Sequence, residues 1–204
     1  TMLNIADRLR AQAQERPHRQ AVIFPQRKRD SAGRVTYSQL TFQQLDRESD
    51  LLAAGLIAWG VKPGTRLVLM VKPSLEFITL TFALFKAGGV IVLIDPGMGR
   101  ANLLDCLEQV EPEGFVAIPI VQMVRVLFKR RFPLAKFNVT VGFKRGWGGK
   151  TDRDLKREGR LPFSSPPREG HDPAAIIFTT GSTGPPKGVL YHHRTFDAQV
   201  RLIQ

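Results

Sequence analysis

The side chains best suited to chemistry stand together at residues 179–188, Thr-Thr-Gly-Ser-Thr-Gly-Pro-Pro-Lys-Gly, directly after the apolar run Ala-Ala-Ile-Ile-Phe. Thr179, Thr180, Ser182 and Thr183 offer hydroxyls at four of five successive positions. Gly181 and Gly184 permit positive φ and let backbone N–H groups approach a ligand closely. Pro185 and Pro186 stiffen the approach to Lys187. The Lys187 ammonium is a mobile point charge suited to phosphate, and Gly188 follows it. This set fits a phosphate-holding loop. It also fits a Ser/Gly/Pro turn in a hairpin, because residues 188–193, Gly-Val-Leu-Tyr-His-His, can return as a strand.

A second Gly/Lys segment runs over 141–151, Val-Gly-Phe-Lys-Arg-Gly-Trp-Gly-Gly-Lys-Thr. Gly149-Lys150-Thr151 matches the end of G-x-x-x-x-G-K-[ST], but the first glycine of that pattern falls on Lys144. The register matters because successive N–H groups must curl around one phosphate, so this segment reads as a glycine-rich surface turn. Residues 179–188 depart from the same pattern, with Pro186 before the lysine and Gly188 after it. His192 and His193 invite a catalytic reading; the alternative is a polar strand end or helix cap, with the next helix starting near Thr195. His171 sits in a polar loop. No residue is assigned as a metal ligand.

The elements that must position these groups alternate. A helix begins at Asn4, with Ile5, Leu9 and Ala13 on one face, and ends before Pro17. A strand covers 21–24, and the charged stretch 25–34 reads as an exposed loop. Thr41 and Gln44 form a capping box for a helix that carries Leu45, Leu52, Leu56 and Trp59 as its apolar stripe and stops at Gly60. Strand 66–71 leads to a helix capped by Ser74, apolar around most of its circumference, and then to strand 90–94. Further segments follow: helix 99–110, strand 114–118, basic helix 120–131, strand 138–141, helix 151–158 and strand 174–178. Residues 159–173 hold four prolines and read as a surface loop leading to the 179–188 segment. Apolar strands alternating with helices predict an α/β fold, a parallel-type sheet flanked by helices.

At 204 residues, 43% hydrophobic and 24% charged, the chain can build a core. The longest apolar candidate, 75–94, is interrupted by Glu76 and Lys86, and the first residues lack a signal-peptide core. The single Cys106 excludes an internal disulfide framework. A cytoplasmic setting is expected. The net charge of +12 favours anionic partners, or is simply a solvated basic surface. No zinc-finger spacing or RNA-binding aromatic signature accompanies it, which leaves nucleic-acid binding a remote alternative. Basic helix 120–132 sets Ile120, Met123, Val124, Leu127 and Phe128 against Arg125, Lys129, Arg130 and Arg131. That pattern suits either a peripheral membrane contact or ordinary packing on the sheet.

The stretch 179–188 resembles the signature [ST]-[ST]-G-[ST]-T-G-x-P-K-G of the adenylate-forming, AMP-binding superfamily, which includes acyl-CoA synthetases, luciferases and peptide-synthetase adenylation domains. Residues 40–96, with the Gly60-Val61-x-x-Gly64 turn and Lys86-Ala87-Gly88, resemble the superfamily's N-terminal block. Within it, "KPSLEFITLTFALFKAGGVIVLIDPG", "VGFKRGWGG" and "GSTGPPKGVLYHHRTF" look most similar to the bacterial β-lactone synthetases of olefin biosynthesis. The resemblance implies a ligase that uses ATP and Mg2+ to convert a carboxylic acid to an acyl-adenylate and pyrophosphate. A long-chain 2-alkyl-3-hydroxy fatty acid would then close to a β-lactone. The alternative is a fatty acyl-CoA synthetase with coenzyme A as acceptor, and a multi-enzyme complex is a possible partner in either case. Carried over, Thr179, Thr180, Gly181, Ser182, Thr183, Gly184, Lys187 and Gly188 hold the phosphates, with Lys187 and Thr183 acting in catalysis. His193 falls near the substrate. Residues 1–204 would form an incomplete N-terminal AMP-binding domain without the C-terminal domain, inactive by itself.

Overall fold

The computed structural model describes residues 4–29, 31–143, 146–179 and 186–203. A helix at Asp7–Glu15 (α1) precedes an antiparallel pair, Gln20–Arg29 (β1) and Val35–Thr41 (β2). There follow Phe42–Trp59 (α2), Arg66–Met70 (β3), Leu75–Lys86 (α3), Val90–Ile94 (β4), Arg100–Gln109 (α4), Gly114–Ala117 (β5) and Pro119–Leu127 (α5). The chain continues through Val139–Thr140 (β6), Lys150–Thr151 (β7), Asp152–Glu158 (α6), Pro173–Thr179 (β8), Lys187–His192 (β9) and His193–Ile203 (α7).

Strands β3 to β9 form one sheet in the order β7-β6-β5-β3-β4-β8-β9, parallel except for the edge strand β9. Alternation along each buried strand supplies two faces. Leu67, Leu69, Ile91, Ala175 and Ile177 point to the layer built by α1, α2, α3, α6 and α7. Val68, Met70, Val92, Ile94, Ile176 and Phe178 point to the layer of α4 and α5. Both faces are covered, so the strands read as continuous apolar runs. The expected α/β sheet flanked by helices is what the chain forms.

The helix ends follow local chemistry. Thr41 and Gln44 make the reciprocal capping box of α2, and Gly60 closes it in the left-handed region at φ 111°. Ser74 Oγ accepts the Phe77 N–H at the start of α3. Thr151 and Asp154 form a second box at α6.

Four expectations need correction. Residues 25–29 continue β1 rather than forming a loop, because cross-strand pairing with Val35–Tyr37 takes up their backbone groups. Asn4 does not immediately precede α1, which starts at Asp7 after Ala6; it closes the turn ahead of the helix, its Oδ1 accepting the Ala6 N–H and its own N–H donating to the Asp7 carboxylate, while its amide donates to the Phe85 carbonyl at 2.7 Å. The basic helix breaks at Phe128 into α5 and a 3-10 turn, Lys129–Arg131. There Arg131 turns back to pair with Asp105 and Glu108 of α4. Strand 138–141 shortens to Val139–Thr140.

A charged cluster ties the first helices together. Lys86, fully buried at the end of α3, places Nζ 2.6 Å from Asp46 and 2.7 Å from Asp50 on α2, and Arg10 of α1 reaches Asp50 at 2.6 Å. Burial raises the Asp50 pKa against the opposing pull of Lys86. Among the described residues no helix is long and apolar enough to cross a membrane.

Candidate functional site

The parallel strands end side by side. Met70 is in register with Ala117, and Ile94 with Phe178. From β3 the chain proceeds to β4 on one side, and from β5 to β6 on the other, so the connections diverge between β5 and β3. In open α/β sheets, ligands bind outside the carboxyl ends of strands at such a divergence.

Thr179 and Lys187, which bracket most of the 179–188 segment, stand at this edge. Strands β8 and β9 form an antiparallel hairpin whose last pair is Thr179 with Lys187. Both residues are exposed, as is Gly188. The hairpin and the phosphate-loop readings are therefore compatible, because Thr179 and Lys187 pair across β8 and β9 and the other hydroxyl residues lie between them in the chain. Thr180, Gly181, Ser182, Thr183, Gly184 and Pro185 lie outside the described residues. Gly188 has a structural reason of its own. A Cβ there would fall 2.9 Å from Cζ of Phe178, its cross-strand partner, so β9 lies against that ring only with glycine.

Two polar residues that motif reading did not single out join the edge. Lys72 follows β3 and Asp95 follows β4, and both line a crevice of about 870 Å3 with Thr179. Their signal was positional: each comes within two residues of the end of a buried apolar strand. Asp95 is partly committed, its Oδ1 accepting the Gly97 N–H at 2.8 Å. The N-termini of α3 and α5 open at the same edge, adding positive partial charge. Below these polar groups the crevice is apolar, with Leu69, Phe77, Leu93, Ile94 and Ile177 in its wall.

His193 is placed elsewhere. Pro173 pairs with His192 at the base of the hairpin, so His193, just past β9, lies six residues from Lys187, about 19–20 Å of extended chain. The ring is fully buried. Its Nδ1 accepts the Ile5 N–H at 3.2 Å, and Nε2 has no hydrogen-bond partner among the described residues. Burial, helped by the nearby Arg168 guanidinium and opposed by Asp172, lowers its pKa from 6.5 to about 4. The ring is therefore neutral near pH 7, and it joins the N-terminal segment to the start of α7. His192 Nδ1 lies 2.5 Å from the His171 carbonyl.

In the 141–151 segment Gly142, Gly146, Gly148 and Gly149 have positive φ, and Lys150–Thr151 form β7. Lys144 and Arg145 lie outside the described residues. Lys150 pairs with Glu158 and stands over the Trp59 ring, 5.4 Å from its centroid, and Thr151 is used as the α6 cap. Among the described residues no cluster of three His, Cys, Asp or Glu side chains could hold a metal ion.

With this geometry in hand, comparison with known proteins is informative. A sequence profile of the family described as AMP-binding enzyme matches residues 9–204. The chain is 46% identical over 203 residues to an olefin beta-lactone synthetase of Stenotrophomonas maltophilia, covering 98% of this chain and 36% of that protein. It is 44% identical over 206 residues to an olefin beta-lactone synthetase of Xanthomonas campestris pv. campestris, covering 100% and 37%. Thus the chain spans little more than a third of these relatives' length. A solved long-chain-fatty-acid-CoA ligase from Archaeoglobus fulgidus superposes with a TM-score of 0.82 at 20% identity, over 100% of this chain and 39% of that one. At that identity the likeness concerns the fold.

Proposed function

The chain belongs to the AMP-binding enzyme family, and from that premise we propose that its hairpin tip grips the phosphates of ATP during adenylation of a carboxylic acid. The proposal applies to a protein of the relatives' full length that carries these residues. The observation behind it is the delivery of Thr179 and Lys187 to the carboxyl edge of a parallel sheet, beside an apolar crevice large enough for an acyl chain.

In the proposed reaction a carboxylate oxygen attacks the α-phosphorus of ATP. The bond from that phosphorus to the bridging oxygen breaks, giving acyl-AMP and pyrophosphate. Thr180, Ser182 and Thr183 donate hydroxyl and backbone hydrogen bonds to the β- and γ-phosphates, while Lys187 offsets charge developing on the leaving pyrophosphate. Lys72 is a second cation at the same edge. The donor set at the tip, hydroxyls and an ammonium, fits phosphate rather than a bare metal. Mg2+ would accompany the nucleotide and shield its charge; no ligand for it is assigned.

For the second step we infer an acid with a 3-hydroxyl group. That oxygen attacks the activated carbonyl carbon, the C–O bond to AMP breaks, and the hydroxyl proton passes to solvent, leaving a β-lactone. The two relatives named olefin beta-lactone synthetase, at 46% and 44% identity along the whole chain, support this over transfer to coenzyme A. The test is incubation of the full-length protein with ATP, Mg2+ and a 2-alkyl-3-hydroxy acid, with and without coenzyme A, and product identification by mass. Lactone formed without coenzyme A is expected. A thioester formed only with coenzyme A would replace this reading with that of an acyl-CoA synthetase. His193, by its burial and its bond to Ile5, is proposed as a strut rather than a proton carrier.

A further inference from the structure

We propose that the turn between α5 and β6, residues 126–136, docks the protein peripherally on a bilayer that contains anionic lipid. Lys129, Arg130 and Lys136 would meet the lipid phosphates, and Leu127, Phe128 and Leu134 would enter the headgroup layer. The inference is independent of the adenylation reading.

Charge singles out this part of the chain. Between Glu113 and Asp152 there are eight Lys or Arg residues and no Asp or Glu, so this stretch supplies eight of the net +12 charges. Such a concentration attracts an anionic partner. The structure separates the cations already in use from those at liberty. Arg131 pairs with Asp105 and Glu108, and Arg125 is held by Gln122 and the Trp147 carbonyl. Lys129 and Arg130 are exposed and have no acidic partner among the described residues. Lys136 is exposed too, its ammonium 4.9 Å from the Phe137 ring centroid. Of the four acids in 105–113, Arg131 takes two and Arg66 takes Glu113, which leaves Glu111 against three cations.

Apolar side chains stand among these cations. Leu127 is 70% exposed and Leu134 47%, with Phe128 between them in the chain. The turn that carries them is anchored from within. Phe132 is buried against Phe115, ring centroids 5.1 Å apart, and the Lys136 and Phe137 N–H groups both donate to the Glu113 carbonyl. Leucines held outward beside unpaired cations suit the boundary between headgroups and acyl chains. A nucleic acid would offer phosphates to the same cations but no apolar layer for Leu127 and Leu134, so the observations favour lipid. Glu113 directly precedes β5, which places the turn at the amino edge of the sheet. Thr179 and Lys187 stand at the opposite edge, so docking leaves the candidate site uncovered.

The experiment is co-sedimentation of the full-length protein with sucrose-loaded vesicles of phosphatidylcholine, alone or mixed with phosphatidylglycerol. The mixed vesicles should capture it at least about tenfold more strongly. Lys129→Gln combined with Arg130→Gln should weaken that capture by roughly 25-fold, about fivefold for each cation lost near an anionic surface. Leu127→Ser combined with Leu134→Ser should weaken it at least about fivefold at an unchanged melting temperature. Arg153→Gln combined with Arg157→Gln removes two exposed cations of α6, on the other face of the sheet, and should leave capture unchanged. Failure of the full-length protein to bind mixed vesicles would overturn the proposal, since the turn would then be covered or inert. An equal loss from the α6 pair would overturn it as well, by showing adsorption through net charge alone. So would undiminished capture of the leucine pair, or tighter binding to duplex DNA than to vesicles in fluorescence anisotropy.

Discussion

At the scale of single residues, the account rests on Lys187 and the hydroxyls before it. Lys187 is exposed at the start of β9, so Lys187→Ala should leave the melting temperature nearly unchanged. In the full-length protein it should slow ATP–pyrophosphate exchange by about 10²–10³-fold, the usual loss for a contact made to transition-state charge. Thermal melts alongside exchange rates check both halves, and a large fall in stability with little change in rate would make Lys187 structural. His193 gives the opposite kind of prediction. Its folded pKa, about 4, lies below its ordinary 6.5. Between those values the unfolded chain takes up a proton that the folded chain does not. Stability therefore falls as pH drops from 6.5 towards 4, by on the order of 2–3 kcal/mol, and the dependence levels off below. Denaturant melts across that window measure it, and His193→Asn, which retains an acceptor for the Ile5 N–H, should flatten the curve. The hydroxyl, glycine and lysine types at 179–188 are what mark this candidate site in the sequence. The depth of His193 did not show there, because its partners Ile5 and Phe85 are far away in the chain.

At the scale of elements, the sheet and its helices were readable where apolar residues ran continuously or caps stood at helix starts, as at Val90–Ile94, Thr41 and Ser74. The β1–β2 pair was half hidden. Its outer residues Arg29, Val35 and Tyr37 are exposed and interleaved with charge, and cross-strand pairing rather than burial holds them extended. Helix packing adds constraints that no local pattern carries. Gly55 lies where α2 meets α6, and a Cβ there would come within 2.2 Å of the Leu155 carbonyl oxygen. Gly55→Ala should therefore force the helices apart and cost about 1–3 kcal/mol, the range for overpacking a tight contact. Lys86→Met leaves Asp46 and Asp50 with Arg10 as their one cationic partner among the described residues and should cost about 3–5 kcal/mol, near the penalty for breaking a buried ion pair. Urea titration measures both, and a loss below about 1 kcal/mol for Lys86→Met would mean that water replaces the ammonium.

At the scale of the whole molecule, the fold makes one edge special. The parallel strands deliver Lys72, Asp95 and Thr179 to it, and the antiparallel β9 adds Lys187 opposite Thr179. The convergence of Lys72 and Asp95 with the hairpin depended on strand order, which sequence alternation alone left open. The chain spans 36% of the Stenotrophomonas relative, so adenylation is expected of a protein of that length, and residues 1–204 alone should release no pyrophosphate. Phosphate binding by the hairpin tip can be tested on these residues directly. The decisive measurement is a titration of the 15N-labelled chain with Mg-ATP, followed by backbone amide shifts. Saturable shifts should concentrate on residues 179–188 and vanish in Lys187→Ala. Shifts confined to residues 141–151, or none at all at saturating nucleotide, would contradict the account.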